Sequence, residues 1–142
     1  MARKVAAEKT TRINRETLAP VNLERYCRGL DTWPRSWMGM EEDIRPGERL
    51  IECFRPFIES LVASGRSPRT IQVHVDNMWA LGGEFITGLN YDPPLRKRPV
   101  DRVLREMIRH GGPLLRNAEE EQQASFDTTC ERFRRFLGNT AR

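Results

Sequence analysis

PGERLIECFRPFIESLVASGRSPRTIQVHVDNMWALGGEFITGL, residues 46–89, reads as two amphipathic helices meeting at one capped turn. Leu50, Ile51, Phe54, Phe57, Ile58, Leu61 and Val62 recur at three- and four-residue steps, which lines them along one side of an α-helix. Pro46-Gly47 marks the start, and Ser64-Gly65 stops the helix with a residue that tolerates a left-handed turn. Pro56 falls inside the stripe and removes an N–H, so either a kink or a later start is expected. Ser67 then supplies an N-cap oxygen, and Pro68 has the fixed φ of a first helical residue. Ile71, Val75, Met78, Phe85, Ile86 and Leu89 form the second stripe, with a gap at Gly82-Gly83. Each glycine costs about 1 kcal/mol against alanine in a helix. Either a neighbouring helix approaches closely there, or the helix bends.

Outward from the hairpin, Asn90 to Arg98 is a polar loop with Pro93-Pro94 and the basic run Arg96-Lys97-Arg98. Pro99 opens a short helix with Val100, Val103, Leu104, Met107 and Ile108 on one side, and His110-Gly111-Gly112-Pro113 ends it. A last helix is expected from Asn117, with Glu120 completing a near capping box, to just before Gly138. Phe126, Cys130, Phe133 and Leu137 are its core stripe. Towards the N-terminus, Leu18, Val21, Leu23, Tyr26 and Leu30 suit one short helix. The segment 33–40, WPRSWMGM, then places two tryptophans and two methionines where leaving them in water is costly. It is either a strap across the core or an exposed docking surface for a protein partner, with Trp33, Trp37 and Met38 as contacts. Residues 1–15 hold Arg3, Lys4, Lys9, Arg12 and Arg15 against Glu8 alone, a basic arm that either follows a phosphate backbone or is simply solvated. The expected fold is all-α: a small orthogonal four-helix bundle over 46–142, with an N-terminal extension, 1–45, packing on or near it.

Composition removes several function classes. The 142 residues suit one domain, and no apolar run nears the ~20 residues that span a bilayer. The N-terminus lacks a secretory apolar stretch, so a cytoplasmic location and no membrane partner are expected. Cys27, Cys53 and Cys130 are widely spaced, with only His74 and His110 beside them, which argues against a disulfide framework and a metal site. No phosphate-binding glycine loop, nucleophile elbow or HExxH pair is present, so no catalytic residue and no cofactor are expected. Cys53 and Cys130 fall on apolar stripes and read as core; His74, with no placed carboxylate or cysteine partner, and His110, at a helix end where a cation is favourable, read as structural.

The charge is more informative. Net charge is +4, and all of the 24 basic residues except Lys4, Lys9 and Lys97 are arginine. Arginine's planar fork suits phosphates and base edges, although a GC-rich genome enriches arginine as well. Around the turn, a serine-capped helix N-terminus with free amides between Arg66 and Arg69 makes a phosphate site.

The turn also carries a resemblance. Phe57-Ile58-Glu59-Ser60-Leu61-Val62-Ala63-Ser64-Gly65-Arg66-Ser67-Pro68-Arg69-Thr70-Ile71 resembles the F-x-x-x-L-x-x-x-G-x-S-x-x-T-I pattern of the N-terminal core-binding domain of tyrosine recombinases, the phage integrases. Trp79, Leu81, Phe85 and Ile86 on the second helix, and Arg132-Phe133-Arg134-Arg135-Phe136-Leu137 on the last, are similar too. The resemblance spans about residues 46–138. It implies a four-helix bundle forming half of a clamp on duplex DNA, touching it with the second and fourth helices and the turn between the first two. By position it implies contacts from Arg66, Ser67, Arg69, Thr70 and Gln72 and from Arg132, Arg134 and Arg135; the basic run Arg96, Lys97 and Arg98 joins the candidates. A recombinase continues into a catalytic domain, whereas this sequence ends at Arg142, and neither Tyr26 nor Tyr91 has the setting of a nucleophile. The expectation is a non-catalytic DNA-binding module: an accessory factor, a regulator or a remnant. The competing expectation is a helical protein-interaction module, an adaptor or partner subunit.

Overall fold

A computed structural model of the chain describes residues 23–140. The basic arm of residues 1–15, and Leu18 and Val21 of the expected short helix, lie outside the described residues. Five α-helices follow in order: α1 (Trp33–Trp37), α2 (Ile44–Val62), α3 (Pro68–Tyr91), α4 (Val100–Met107) and α5 (Glu120–Thr140). Single 3-10 turns occur at Leu23–Arg25, Leu30–Thr32, Glu41–Asp43 and Pro93–Lys97. Among the described residues there is no strand, only an isolated bridge between Arg109 and Gly111. The protein is thus an all-α bundle. Its described extension is two 3-10 turns and a five-residue helix rather than one helix through Leu30.

The hairpin forms as its stripes require. α2 buries Leu50, Ile51, Phe54, Phe57, Ile58 and Leu61, and α3 buries Ile71, Val75, Met78, Phe85, Ile86 and Leu89. α2 starts at Ile44 rather than at Pro46, because the turn Glu41–Asp43 runs straight into it. It passes through Pro56 as one helix. Pro56 lies on the exposed side, where water can take the Glu52 carbonyl that lost its donor. Gly65 closes the turn at φ +84°, a conformation that a Cβ would strain. Ser64 Oγ donates to the Leu61 carbonyl at 2.6 Å and accepts the Arg66 N–H at 3.2 Å, and Ser67 Oγ caps α3 by accepting the Thr70 N–H at 3.2 Å.

The start of α5 differs from expectation. Asn117 has φ +59° and precedes the helix, which begins at Glu120. The Glu119 N–H is instead accepted by Gln122 Oε1 at 3.2 Å, so the side chain that reaches back comes from Gln122 and not Glu120. The helix also continues past Gly138 to Thr140, because Gly138 does not take the left-handed φ that would end it.

Residues 30–43 pack along the helices as a strap, with both tryptophans inward and both methionines exposed. Trp33 is 8% and Trp37 9% exposed, within the same apolar cluster as the helices. A Cβ on Gly82 would sit 2.1 Å from Trp37 Cζ2, so the α3 glycine makes room for the indole at the end of the short helix α1. Trp37 Nε1 donates to the Trp79 carbonyl at 2.9 Å. Burying a tryptophan this way contributes up to roughly 4–6 kcal/mol by area. The expectation of Trp33 and Trp37 as partner contacts is thereby corrected: their rings are inside, and of that set only Met38 remains exposed.

Two further devices hold the strap. Trp33, Trp37, Phe54, Phe133, Phe57 and Phe136 form a ladder of ring contacts with centroids 5.1–6.2 Å apart, running from α1 across α2 to α5. Asp43, fully buried, accepts the Gly39 N–H (2.7 Å), the Met40 N–H (3.1 Å) and Asn90 Nδ2 (3.3 Å) on Oδ2, and Arg96 Nη2 (2.5 Å) on Oδ1. Burial alone raises its pKa, but Arg96, the two amides and Asn90 outweigh it and hold the carboxyl below its ordinary value.

Candidate nucleic-acid interface

Polar residues on two buried helix faces fix how α3 meets α5. Asn77 Nδ2 donates to Ser125 Oγ at 3.1 Å and to Thr129 Oγ1 at 2.9 Å, and His74 Nδ1 lies 2.6 Å from Thr129 Oγ1. Moving forward along α3 moves backward along α5, so the helices are antiparallel and the start of α3 meets the end of α5. That register carries Arg132 and Arg135 to the α2–α3 turn. With Arg66 and Asn139 they edge an open cleft of about 230 Å³, whose apolar side is Phe57, Leu61 and Phe136. On α5 the three polar residues follow at steps of three and four, one stripe of a helix. Across the Arg132–Arg135 ridge a second open cleft of about 450 Å³ is lined by His110, Gly111, Asp127, Thr128 and Glu131.

The candidate residues divide. Arg66, Arg69 and Arg132 are exposed and form no ion pair among the described residues. Arg134 and Arg135 are exposed but share Glu131: Arg134 Nε donates to Glu131 Oε1 at 2.9 Å and Arg135 Nε to Oε2 at 3.1 Å. Glu131 is held down to about 2, first by the hydrogen bond from Arg134 and then by Arg135, with burial opposing both. The basic patch is therefore not free of acid, and a phosphate at Arg135 has a carboxylate to displace.

The turn offers fewer amides than its sequence suggests. Pro68 has no N–H, Ser67 takes that of Thr70, and Ser64 takes that of Arg66, so of the turn's amides those of Gly65, Ser67 and Arg69 are left without a partner among the described residues. Ser67 Oγ also donates to Thr70 Oγ1 at 3.0 Å, so both hydroxyls of the candidate site serve the cap. Gln72 is half-buried and used internally, donating to the Tyr26 carbonyl and to Asp76 Oδ1, each at 2.9 Å. It fastens the N-terminal segment to α3.

The run Arg96-Lys97-Arg98 is a separate place. It lies beyond the far end of the 24-residue α3, roughly 36 Å from the turn by helix rise. Arg96 is committed to Asp43, Asn90 Oδ1 (2.7 Å) and the Glu42 carbonyl (3.3 Å). Arg98 Nη1 donates to Glu106 at 3.0 Å. Arg96 is a structural residue, Arg98 is paired, and Lys97 is left exposed beside them.

Sequence reasoning found the arginines but not what surrounds them. It left His74 without a partner and passed over Asn77, Ser125, Thr129 and Asn139. A usable signal was present: His74/Asn77 and Ser125/Thr129 are polar pairs at helical spacing, each set into an apolar stripe, as two helices that bond to one another require. Among the described residues no three His, Cys, Asp or Glu side chains are placed to hold a metal ion, and no helix is long and apolar enough to cross a membrane. Comparison of the chain with protein-family models, with curated proteins and with solved structures gives no match.

Proposed function

We propose that this protein is a non-catalytic DNA-binding module that meets duplex DNA with the α2–α3 turn and the last turns of α5. The observation that carries this reading is the convergence of Arg66 and Arg132, from different elements, on one cleft with no acid among the described residues paired to either. Such guanidinium groups exchange loosely held counterions for phosphates, which gives binding its salt dependence. Arg135 and Asn139 continue the α5 stripe, and both side chains are of kinds that read base edges in a major groove. Arg69 extends the contact along the turn.

The test is binding of a short fluorescent duplex across a salt series. Tight binding at low salt that falls steeply and linearly on a log–log plot is the expected result. No binding at low salt, or a flat response, overturns the reading. A helical protein-interaction module is the competing reading. It is favoured by two exposed apolar side chains, Met38 and Trp79, the latter 45% exposed with its Nε1 donating to Ser36 Oγ at 2.9 Å.

A further inference from the structure

His74 stands behind the arginine cleft, 6% exposed, in a network that suits either of its charge states. Its Nδ1 is 2.6 Å from Thr129 Oγ1, which also accepts from Asn77 Nδ2 at 2.9 Å and lies 3.3 Å from the Ser125 carbonyl. In the neutral ring that carries its proton on Nε2, the Thr129 hydroxyl donates to Nδ1. In the protonated ring Nδ1 donates to Oγ1, and the hydroxyl proton turns to the Ser125 carbonyl. No polar group loses its partner in the exchange.

The charges around the ring all have one sign. Arg132 lies one turn beyond Thr129 on α5, and Arg66 comes from the turn that precedes α3; both edge the same cleft. Asp76, two residues on, falls on the opposite side of α3 with Gln72. Asp127, two residues before Thr129, accepts from the Gly112 N–H at 3.0 Å and Gln123 Nε2 at 2.9 Å. Glu24 and Arg25 accompany Tyr26 on the Gln72 side of α3, and the face that α2 buries is apolar. Among the described residues the charges that act on the ring are these two cations. Burial first, then Arg132, then Arg66 depress the imidazole pKa below its ordinary 6.5.

We propose that His74 couples the arginine cleft to pH: phosphate held between Arg66 and Arg132 draws a proton onto His74, so DNA is bound more tightly as pH falls. The proposal rests on the DNA-binding reading and adds regulation to it. Bound phosphate cancels the field of the two guanidinium groups, so His74 holds its proton more strongly in the complex than in the free protein. Linkage then requires that protonation strengthen binding by the same factor. Affinity rises as pH falls through the value of the complex and levels off below that of the free protein, about tenfold for each unit separating them.

The test follows the imidazole resonances by NMR through a pH titration of the whole protein at low salt, with and without a short duplex. The expected result is an upward displacement of the His74 midpoint when duplex is present, with tighter binding at about pH 5.5 than at about pH 7.5. His74→Gln, whose amide can still meet Thr129, should bind duplex without that pH dependence. His110→Gln, altering the exposed histidine of the second cleft, should retain it. Duplex binding that leaves the His74 midpoint in place, or pH dependence lost in His110→Gln alone, overturns the coupling and leaves the DNA reading intact. No duplex binding at any pH overturns both, and the wild-type titration decides even where His74→Gln fails to fold.

Discussion

At the C-terminal end of α3, Arg96 lies against the buried carboxylate of Asp43 and Arg98 against Glu106; at its N-terminal end, Arg66 and Arg132 face one cleft with no acid among the described residues bound to either. The two ends have similar arginine-rich sequences, yet one uses its guanidinium groups to hold the chain together and the other leaves them open. Burial makes the difference. Asp43 is out of water and needs a cation, so Arg96 is fixed by the cost of leaving that carboxylate alone. On α5, Glu131 engages Arg134 and Arg135 but not Arg132. Arginine content therefore says little about binding until each guanidinium has been matched to what it touches.

The strongest way to break the comparison is at Asp43. Asp43→Ala leaves Arg96, Asn90 and two amides without their acceptor, and a loss of about 3–5 kcal/mol is expected in denaturant unfolding, as for a broken buried pair. A change under about 1 kcal/mol would mean the strap is not held there. Gly82→Ala is next. Alanine ordinarily favours a helix over glycine, but here its methyl enters the Trp37 ring, so a loss of about 1–3 kcal/mol is expected in place of a gain.

Acid sharpens the same contrast. The His74 pKa is depressed in the folded protein, so the stability it confers is complete above its ordinary 6.5 and is lost as pH falls through the folded value. The Asp43 pKa is depressed as well, which places its loss at still lower pH, below the ordinary carboxylate value of 3.8. Thermal unfolding followed down in pH should show an early decline that His74→Gln removes and a later one that it retains. The smallest expected effect is at Gly138, where nothing lies within 4 Å: Gly138→Ala should stabilise by up to about 1 kcal/mol, opposite in sign to Gly82→Ala.

The two helices of the hairpin were legible because period, cap and stop agreed at Ser64–Pro68, and local agreement of that kind survives tertiary packing. The start of α5 was not, because Asn117 and Gln122 offer a cap at nearby positions and only the backbone decides between them. At the site the arginines could be named from sequence, but their division could not. Arg96 and Asp43 are 53 residues apart, and their pairing exists only once the strap has crossed α3. The role of Gly82 was half legible: the need for a close approach followed from the glycine, whereas the indole that makes it comes from Trp37 on α1, a five-residue helix too short to show a period in the sequence.

The most direct test sets the two ends against each other in one experiment. Arg66→Ala/Arg132→Ala and, separately, Arg96→Ala are compared with wild type for duplex binding over a salt series and for thermal unfolding. The double variant is expected to lose about two units of the log–log salt slope while unfolding within about 0.5 kcal/mol of wild type. Arg96→Ala is expected to unfold more easily and to keep the full slope at temperatures where it is folded. An unchanged slope in the double variant, or a slope lost on removing Arg96, would contradict the assignment of DNA binding to the α2–α3 turn and α5.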